Sequence, residues 1–300
     1  MNSPLLNVLL FSLFWAFQIF ISKLALSSES EIVSFSLQST FVALLVLGIY
    51  VLPKWLNKIK SLPKPLLGQI YLANIVHSGF GAFLSYAGIA YTTAINAGFL
   101  AKFSTVATIF FAWLILGERL TKSKMASAFI MLVGVYLMTT RGQRIVPHFG
   151  DTLILLSCVA FALGNVLVRR VLRENEVDGD IVSFLRPLAG IPAFLLFIAL
   201  SPLYPESLRQ IFDVSVFSLE NAHLVLLNGL FVALLTIYLN RTLKVASASY
   251  LTLMSMITPI IVSLLAFSIL NESIQFIQAM GALLIIVSGF VVHYMKVDQH

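Results

Sequence analysis

A single cysteine, Cys158, stands in 300 residues. Without a second thiol the chain forms no internal disulfide and no cysteine metal cluster, and Cys158, set in an apolar run, reads as a small buried hydrophobe. Charge is scarce as well. Only 11% of residues are charged and 59% are hydrophobic, against about 25% charged in soluble domains. That excludes an ordinary globular protein and places the chain in a lipid bilayer. The acids are missing from the middle of every apolar run: Glu29, Glu31, Glu118, Asp151, Glu174, Glu176, Asp178, Asp180, Glu206, Asp213, Glu220, Glu272 and Asp298 all fall in joints or at run edges. Intramembrane carboxylates, the usual proton carriers of pumps, are therefore not expected. His-Glu-x-x-His, Gly-x-Ser-x-Gly and a Gly-rich phosphate loop are also absent, so a lipid-modifying membrane enzyme would lack its nucleophile, metal and base. No catalytic residue, cofactor or metal site is expected.

What is there is a series of apolar runs, each near the roughly 20 residues a helix needs to span a bilayer. Ten emerge, at about 4–26, 32–52, 67–88, 94–116, 124–140, 150–170, 181–200, 222–240, 247–270 and 274–295. The N-terminal Met-Asn-Ser-Pro-Leu-Leu lacks the positive start of a secretory signal and no small-residue cleavage site follows, so the first run reads as a spanning helix that stays. Basic residues set the direction. With the N-terminus in the cytoplasm, the inner joints hold Lys54, Lys58, Lys60, Lys64, Arg119, Lys122, Lys124, Arg169, Arg170, Arg173, Arg241, Lys244 and Lys296, and the outer joints only Lys23, Arg141, Arg144 and Arg209. Both termini are thus expected on the cytoplasmic side of a cell (inner) membrane. The formal charge of +6 follows membrane topology and does not mark nucleic-acid binding.

The halves echo each other. Thr105-Val-Ala-Thr-Ile-Phe-Phe-Ala-Trp-Leu-Ile-Leu-Gly-Glu118 matches Pro259-Ile-Ile-Val-Ser-Leu-Leu-Ala-Phe-Ser-Ile-Leu-Asn-Glu272, with Ala112 against Ala266. Trp15-Ala-Phe followed by Lys23 matches Phe161-Ala-Leu followed by Arg169, and Val33-Ser-Phe matches Val182-Ser-Phe. Five spans per half is an odd number, so the second half crosses in the opposite sense. Inverted repeats of this kind mark secondary transporters with a site near the bilayer midplane.

On these residues the chain resembles the drug/metabolite transporter superfamily. Leu116-Gly-Glu-Arg119 after the fourth span, and Thr258-Pro259 followed by Asn271-Glu272, are similar to the paired EamA repeats within it, although Thr105 stands where the first repeat usually has proline. The resemblance covers essentially the whole chain. It implies an all-α integral membrane protein of ten transmembrane helices, in two inverted five-helix repeats (residues 1–145 and 146–300) around a central cavity. Members of the superfamily move amino acids, nucleotide-linked compounds, sugar phosphates or drugs.

One residue breaks the apolar pattern most sharply. Lys102 has no charged residue within ten positions on either side, and a cation at such a depth costs about 2.5–3.5 kcal/mol by insertion scales. It sits about 12 Å from the outer end of its run at 1.5 Å per residue, so it either snorkels outward or faces a cavity alongside Asn96 and Thr105. A fixed cation with no nearby acid calls for an anionic group on a cargo. His77, with Asn74 one turn before it, is the side chain best suited to carry a proton; no second His or Cys lies at ligand spacing from it. Gln18, Asn165 and Asn228 are single intramembrane amides that donate to a cargo or bond a neighbouring helix. Tyr86 and Tyr238 are candidate aromatic walls, and Thr258-Pro259 is a candidate hinge, since proline frees a carbonyl one turn back. Arg186, five residues into its run, reads as an ordinary interface residue.

The sequence thus points to a secondary transporter of a small polar metabolite bearing an acidic group, an amino acid or related compound, working by alternating access. Its partners would be the small-molecule substrate, the lipid bilayer, and a coupling ion (proton or sodium) or counter-substrate, with no nucleic acid. The competing classes are a non-transporting receptor or assembly scaffold and, less well supported, a lipid-modifying membrane enzyme.

Overall fold

The computed structural model describes residues 3–25, 32–89, 91–92, 99–146, 148–212, 222–270 and 274–294. The chain forms α1 (Pro4–Ala25), α2 (Ile32–Lys60), α3 (Lys64–Asn74), a π-helical segment (Ile75–Gly81) and α4 (Ala82–Ile89). After a 3-10 turn (Ala101–Phe103) come α5 (Ser104–Leu116), α6 (Lys122–Thr140), α7 (Phe149–Glu174), α8 (Gly179–Ala199) and the short α9 (Glu206–Ile211). Then follow α10 (Ala222–Val245), α11 (Ala248–Met254), a further 3-10 turn (Ser255–Ile257), α12 (Thr258–Leu270) and α13 (Phe276–Tyr294). No strand occurs among the described residues.

Joints begin where polar side chains can hold the first free amides of the next helix. Thr121 accepts from the Lys124 amide, Asp178 from that of Asp180 and Ser247 from that of Tyr250. Gly117, at φ 70°, takes the left-handed turn that ends α5 and swings Glu118 back into the protein.

Among the described residues, eight helices are long and apolar enough to cross a membrane by length and composition. The stretches read from sequence as the third and fourth spans lie outside that set. The third is divided among α3, the π segment and α4, and the fourth is described only from residue 99 onward, with a 3-10 turn before α5. Large apolar side chains such as Leu45, Ile49, Phe129, Leu196 and Phe290 are exposed, as they are on a surface solvated by lipid. The protein is a multi-pass membrane protein.

Packing follows one pattern twice. α1 lies against α10, as α7 lies against α3, the π segment and α4. α1 also meets α12, as α7 meets α5, while α6 pairs with α13 and α2 with α8.

The π segment sits at a close helix–helix approach. A Cβ on Gly164 of α7 would fall 2.6 Å from the His77 Cβ and 2.9 Å from the Ala73 carbonyl oxygen. The bare backbone of α7 therefore lets the π segment approach and sets the direction of His77. Gly164→Val is expected to lower stability by about 1–3 kcal/mol through overpacking, read as a fall in unfolding temperature of the detergent-purified protein. An unchanged temperature would show that α7 and the π segment are less tightly held than this.

Candidate functional site: a central two-chambered cavity

Two adjoining chambers lie at the middle of the bundle. The larger, about 550 Å³, is walled mainly by α1, α2, the π segment, α4, α8 and α10. The smaller, about 290 Å³, is walled mainly by α1, α5, α7, α10, α11 and the 3-10 turns Ala101–Phe103 and Ser255–Ile257. Trp15, His77, Phe161, Arg186 and Leu235 belong to both.

Lys102 faces the smaller chamber. Its ammonium lies 4.3 Å from the centre of the Trp15 ring, a cation–π contact that offsets part of its desolvation. The lysine is carried by the 3-10 turn before α5. Two carbonyls of that region, Leu100 and Ala101, accept from the Cys158 thiol at 3.4 and 3.5 Å, so the lone cysteine, buried as expected, also props up the turn. Thr105, Thr252, Ser255 and Asn165 add hydroxyl and amide groups to the same wall, and the Thr252 hydroxyl donates to that of Thr105 at 3.1 Å.

His77 borders both chambers from inside the π segment. Its Nδ1 is 3.3 Å from the Ser78 hydroxyl, and its ring lies 4.9 Å from that of Phe161. Single π turns recur at functional sites because they re-aim one side chain within an otherwise regular helix.

Arg186 is the residue the sequence reading misplaced. It is 7% exposed and borders both chambers, so it is not an interface residue. Its Nη2 reaches the Asn165 Oδ1 at 3.4 Å, and its Nε is buried with no hydrogen-bond partner. The available signal was an arginine beside Pro187 inside an apolar run; what could not be read was the rotation of α8 that turns it inward.

The other candidates divide. Gln18 borders the larger chamber, bonding Ser22 at 3.1 Å, and Tyr86 stands on its wall edge-on to Phe194. Asn74 and Asn228 border neither chamber. Asn74 is fully buried with both amide atoms unpartnered, and Asn228 accepts from Ser22 at 3.4 Å, linking α10 to α1. Tyr238 is turned away as well, its ring 5.6 Å from the Arg241 guanidinium. In each case the helix faces a neighbour at that position instead of the cavity. Asn96, like the Asn271-Glu272 pair, lies outside the described residues.

Thr258-Pro259 stands at a real break. Pro259 has no amide to offer Ser255, four residues back, and the Thr258 hydroxyl bonds the Ser255 carbonyl instead, at 2.7 Å. In the sequence correspondence of the halves, this 3-10 turn falls opposite the one carrying Lys102, where Thr105 replaces proline.

No Asp or Glu borders either chamber among the described residues. Buried acids elsewhere are already engaged. Asp180 accepts from Arg241 Nε and Nη2, both at 2.8 Å, and from the Tyr50 hydroxyl at 3.2 Å. Glu118 accepts from the amides of Ala248 (2.9 Å) and Ser249 (3.4 Å) and from the Ser249 hydroxyl, with Lys124 at 3.8 Å. It therefore pins the start of α11, which contributes Tyr250 to a separate cleft of about 520 Å³ and Leu251 and Thr252 to the smaller chamber. That cleft holds Arg169 and Arg173. No group of three or more His, Cys, Asp or Glu side chains gathers as a metal site among the described residues.

A multi-pass helical bundle with two adjoining chambers at its middle, mostly apolar in lining but set with Lys102, Arg186 and His77 and bordered by no Asp or Glu among the described residues, has the build of a membrane carrier. The EamA-like transporter family matches residues 2–140 and again 148–294, so the chain belongs to that family and carries two of its repeats. It is 26% identical over 251 residues to the uncharacterized transporter YyaM of Bacillus subtilis (strain 168), covering 81% of this chain and 78% of that one. An uncharacterized transporter of Clostridium kluyveri is also 26% identical, over 270 residues, covering 86% and 83%. A solved crystal structure superposes with a TM-score of 0.79 over 98% of both chains at 18% identity; at that identity it speaks to the fold alone.

Proposed function

We propose that the protein is a secondary transporter that moves a small polar metabolite bearing an acidic group, the class that includes amino acids and related compounds, by alternating access. The observation that carries this reading is Lys102, which borders a chamber whose described lining holds no carboxylate. An anionic cargo supplies the missing counter-charge, and His77, Asn165 and Gln18 offer it polar contacts.

The architecture proposed is ten spans in two inverted five-helix repeats, residues 1–145 and 146–300. The third span is α3 with the π segment and α4; the fourth ends in α5. The doubled packing supports it, as do the corresponding positions Trp15 and Phe161, and Lys102 and Met256, which wall the same cavity. The paired 3-10 turns give each half a flexible point, Thr258-Pro259 being the hinge of the second. The basic residues of the joints favour cytoplasmic termini in a cell (inner) membrane. A proton, sodium or an exchanged solute would drive the cycle, with His77 the side chain placed to carry a proton.

Counterflow in proteoliposomes tests the reading: vesicles loaded with one of a panel of acidic metabolites should accumulate the same labelled compound, and empty vesicles should not. Solute movement for no member of a broad panel would favour the receptor or scaffold class.

A further inference from the structure

Arg186 changes what the cavity asks of its cargo. Two fixed cations face the smaller chamber, Lys102 from the 3-10 turn before α5 and Arg186 from α8. Neither has a carboxylate among the described lining residues. The Arg186 Nε is buried without a hydrogen-bond partner, and the one bond of its guanidinium is a long 3.4 Å contact to Asn165. A buried guanidinium stays charged and offers five donors in a rigid fork suited to a carboxylate or phosphate. Leaving those donors empty is costly, so the arrangement is complete only with a ligand in place.

We infer that Arg186 is a second anion anchor and that the cargo is a compact dianion, a dicarboxylate or a phosphomonoester, gripped between Arg186 and Lys102. Two positive charges are neutralised by two negative ones. A zwitterion brings an ammonium group for which the described lining holds no acid, and a monoanion leaves one cation unmatched. Asn165 holds the guanidinium at the junction of the chambers, and Trp15 shields the Lys102 ammonium until cargo arrives. The inference rests on the transporter reading and narrows its substrate class.

Thermal unfolding of the purified full-length protein tests it, with succinate, glycerol 3-phosphate, butyrate and alanine as probes. At least one dianion should raise the unfolding temperature saturably, with a dissociation constant at least tenfold below butyrate's, and alanine should give no shift. Which dianion responds distinguishes dicarboxylate from phosphomonoester. In Arg186→Gln the dianion's affinity should fall at least tenfold, and Arg186→Lys should recover part of the loss. Butyrate or alanine stabilising the unaltered protein as strongly as the dianions would overturn the inference, and that comparison needs no variant to fold. Dianion binding unchanged in a folded Arg186→Gln would overturn it too. Lys102-dependent counterflow of a monoanion would sink the dianion and leave the transporter standing; dianion binding without counterflow of any solute would do the reverse.

Discussion

Lys102→Ala should lose transport while the protein folds at least as well as before. On the proposed role, the two effects have opposite signs: the lysine would serve the cargo at the expense of the fold. Its charge costs about 2.5–3.5 kcal/mol at depth, and the Trp15 contact returns only about 0.5–2 kcal/mol, so removing it should leave the unfolding temperature unchanged or raised. A hydrogen bond to a charged group is worth about 1.5–3 kcal/mol, which corresponds to roughly 10- to 100-fold in cargo affinity. Counterflow at sub-saturating cargo should fall by that factor, and Lys102→Arg should retain part of it. A folded Lys102→Ala protein with normal counterflow would remove the lysine from the site.

Glu118→Ala should be the most damaging substitution for stability among the side chains named here. Glu118 is 8% exposed and Lys124 1% exposed. The carboxylate also holds two amides and a hydroxyl at the start of α11. Removing one partner of a buried ion pair costs about 3–5 kcal/mol, and here the two amides and the hydroxyl at the start of α11 lose their acceptor as well. The expected result is a large fall in unfolding temperature and in the yield of monodisperse protein, with Glu118→Gln less severe because one acceptor remains. A Glu118→Ala protein as stable as the original would mean that the start of α11 is held by packing alone.

Several features were legible in the sequence because they break a uniform background. Lys102 stands out in an apolar run, although the sequence left open whether it snorkels outward or faces a cavity; in the structure it borders the smaller chamber. Pro259 announces a break in its helix through its missing amide, and Leu116-Gly-Glu-Arg119 marks the turn that returns Glu118. Orientation of side chains around each helix was less legible. A helix bathed in lipid on one side and packed on the other is apolar all round, so periodicity does not mark the face that fronts the cavity. Asn74, Asn228 and Tyr238 therefore read as cavity residues although their helices turn them towards neighbours, and Arg186 read as interfacial although α8 turns it inward. The π segment was illegible for another reason: it packs closely against Gly164, on a helix about 85 residues further along the chain. The 3-10 turn at Lys102 lacks a proline signature and leans on Cys158, again a distant residue.

One cavity serving both faces of the membrane is the central claim, and side-specific labelling in the presence of a solute that passes the counterflow test probes it directly. Thr252 borders the smaller chamber beside Thr105. In a Cys158→Ala background, Thr252→Cys should react with a membrane-impermeant maleimide added outside sealed vesicles, and equally when the reagent is trapped inside. Reaction from one face only, under conditions where the protein exchanges solute, would contradict alternating access to this site.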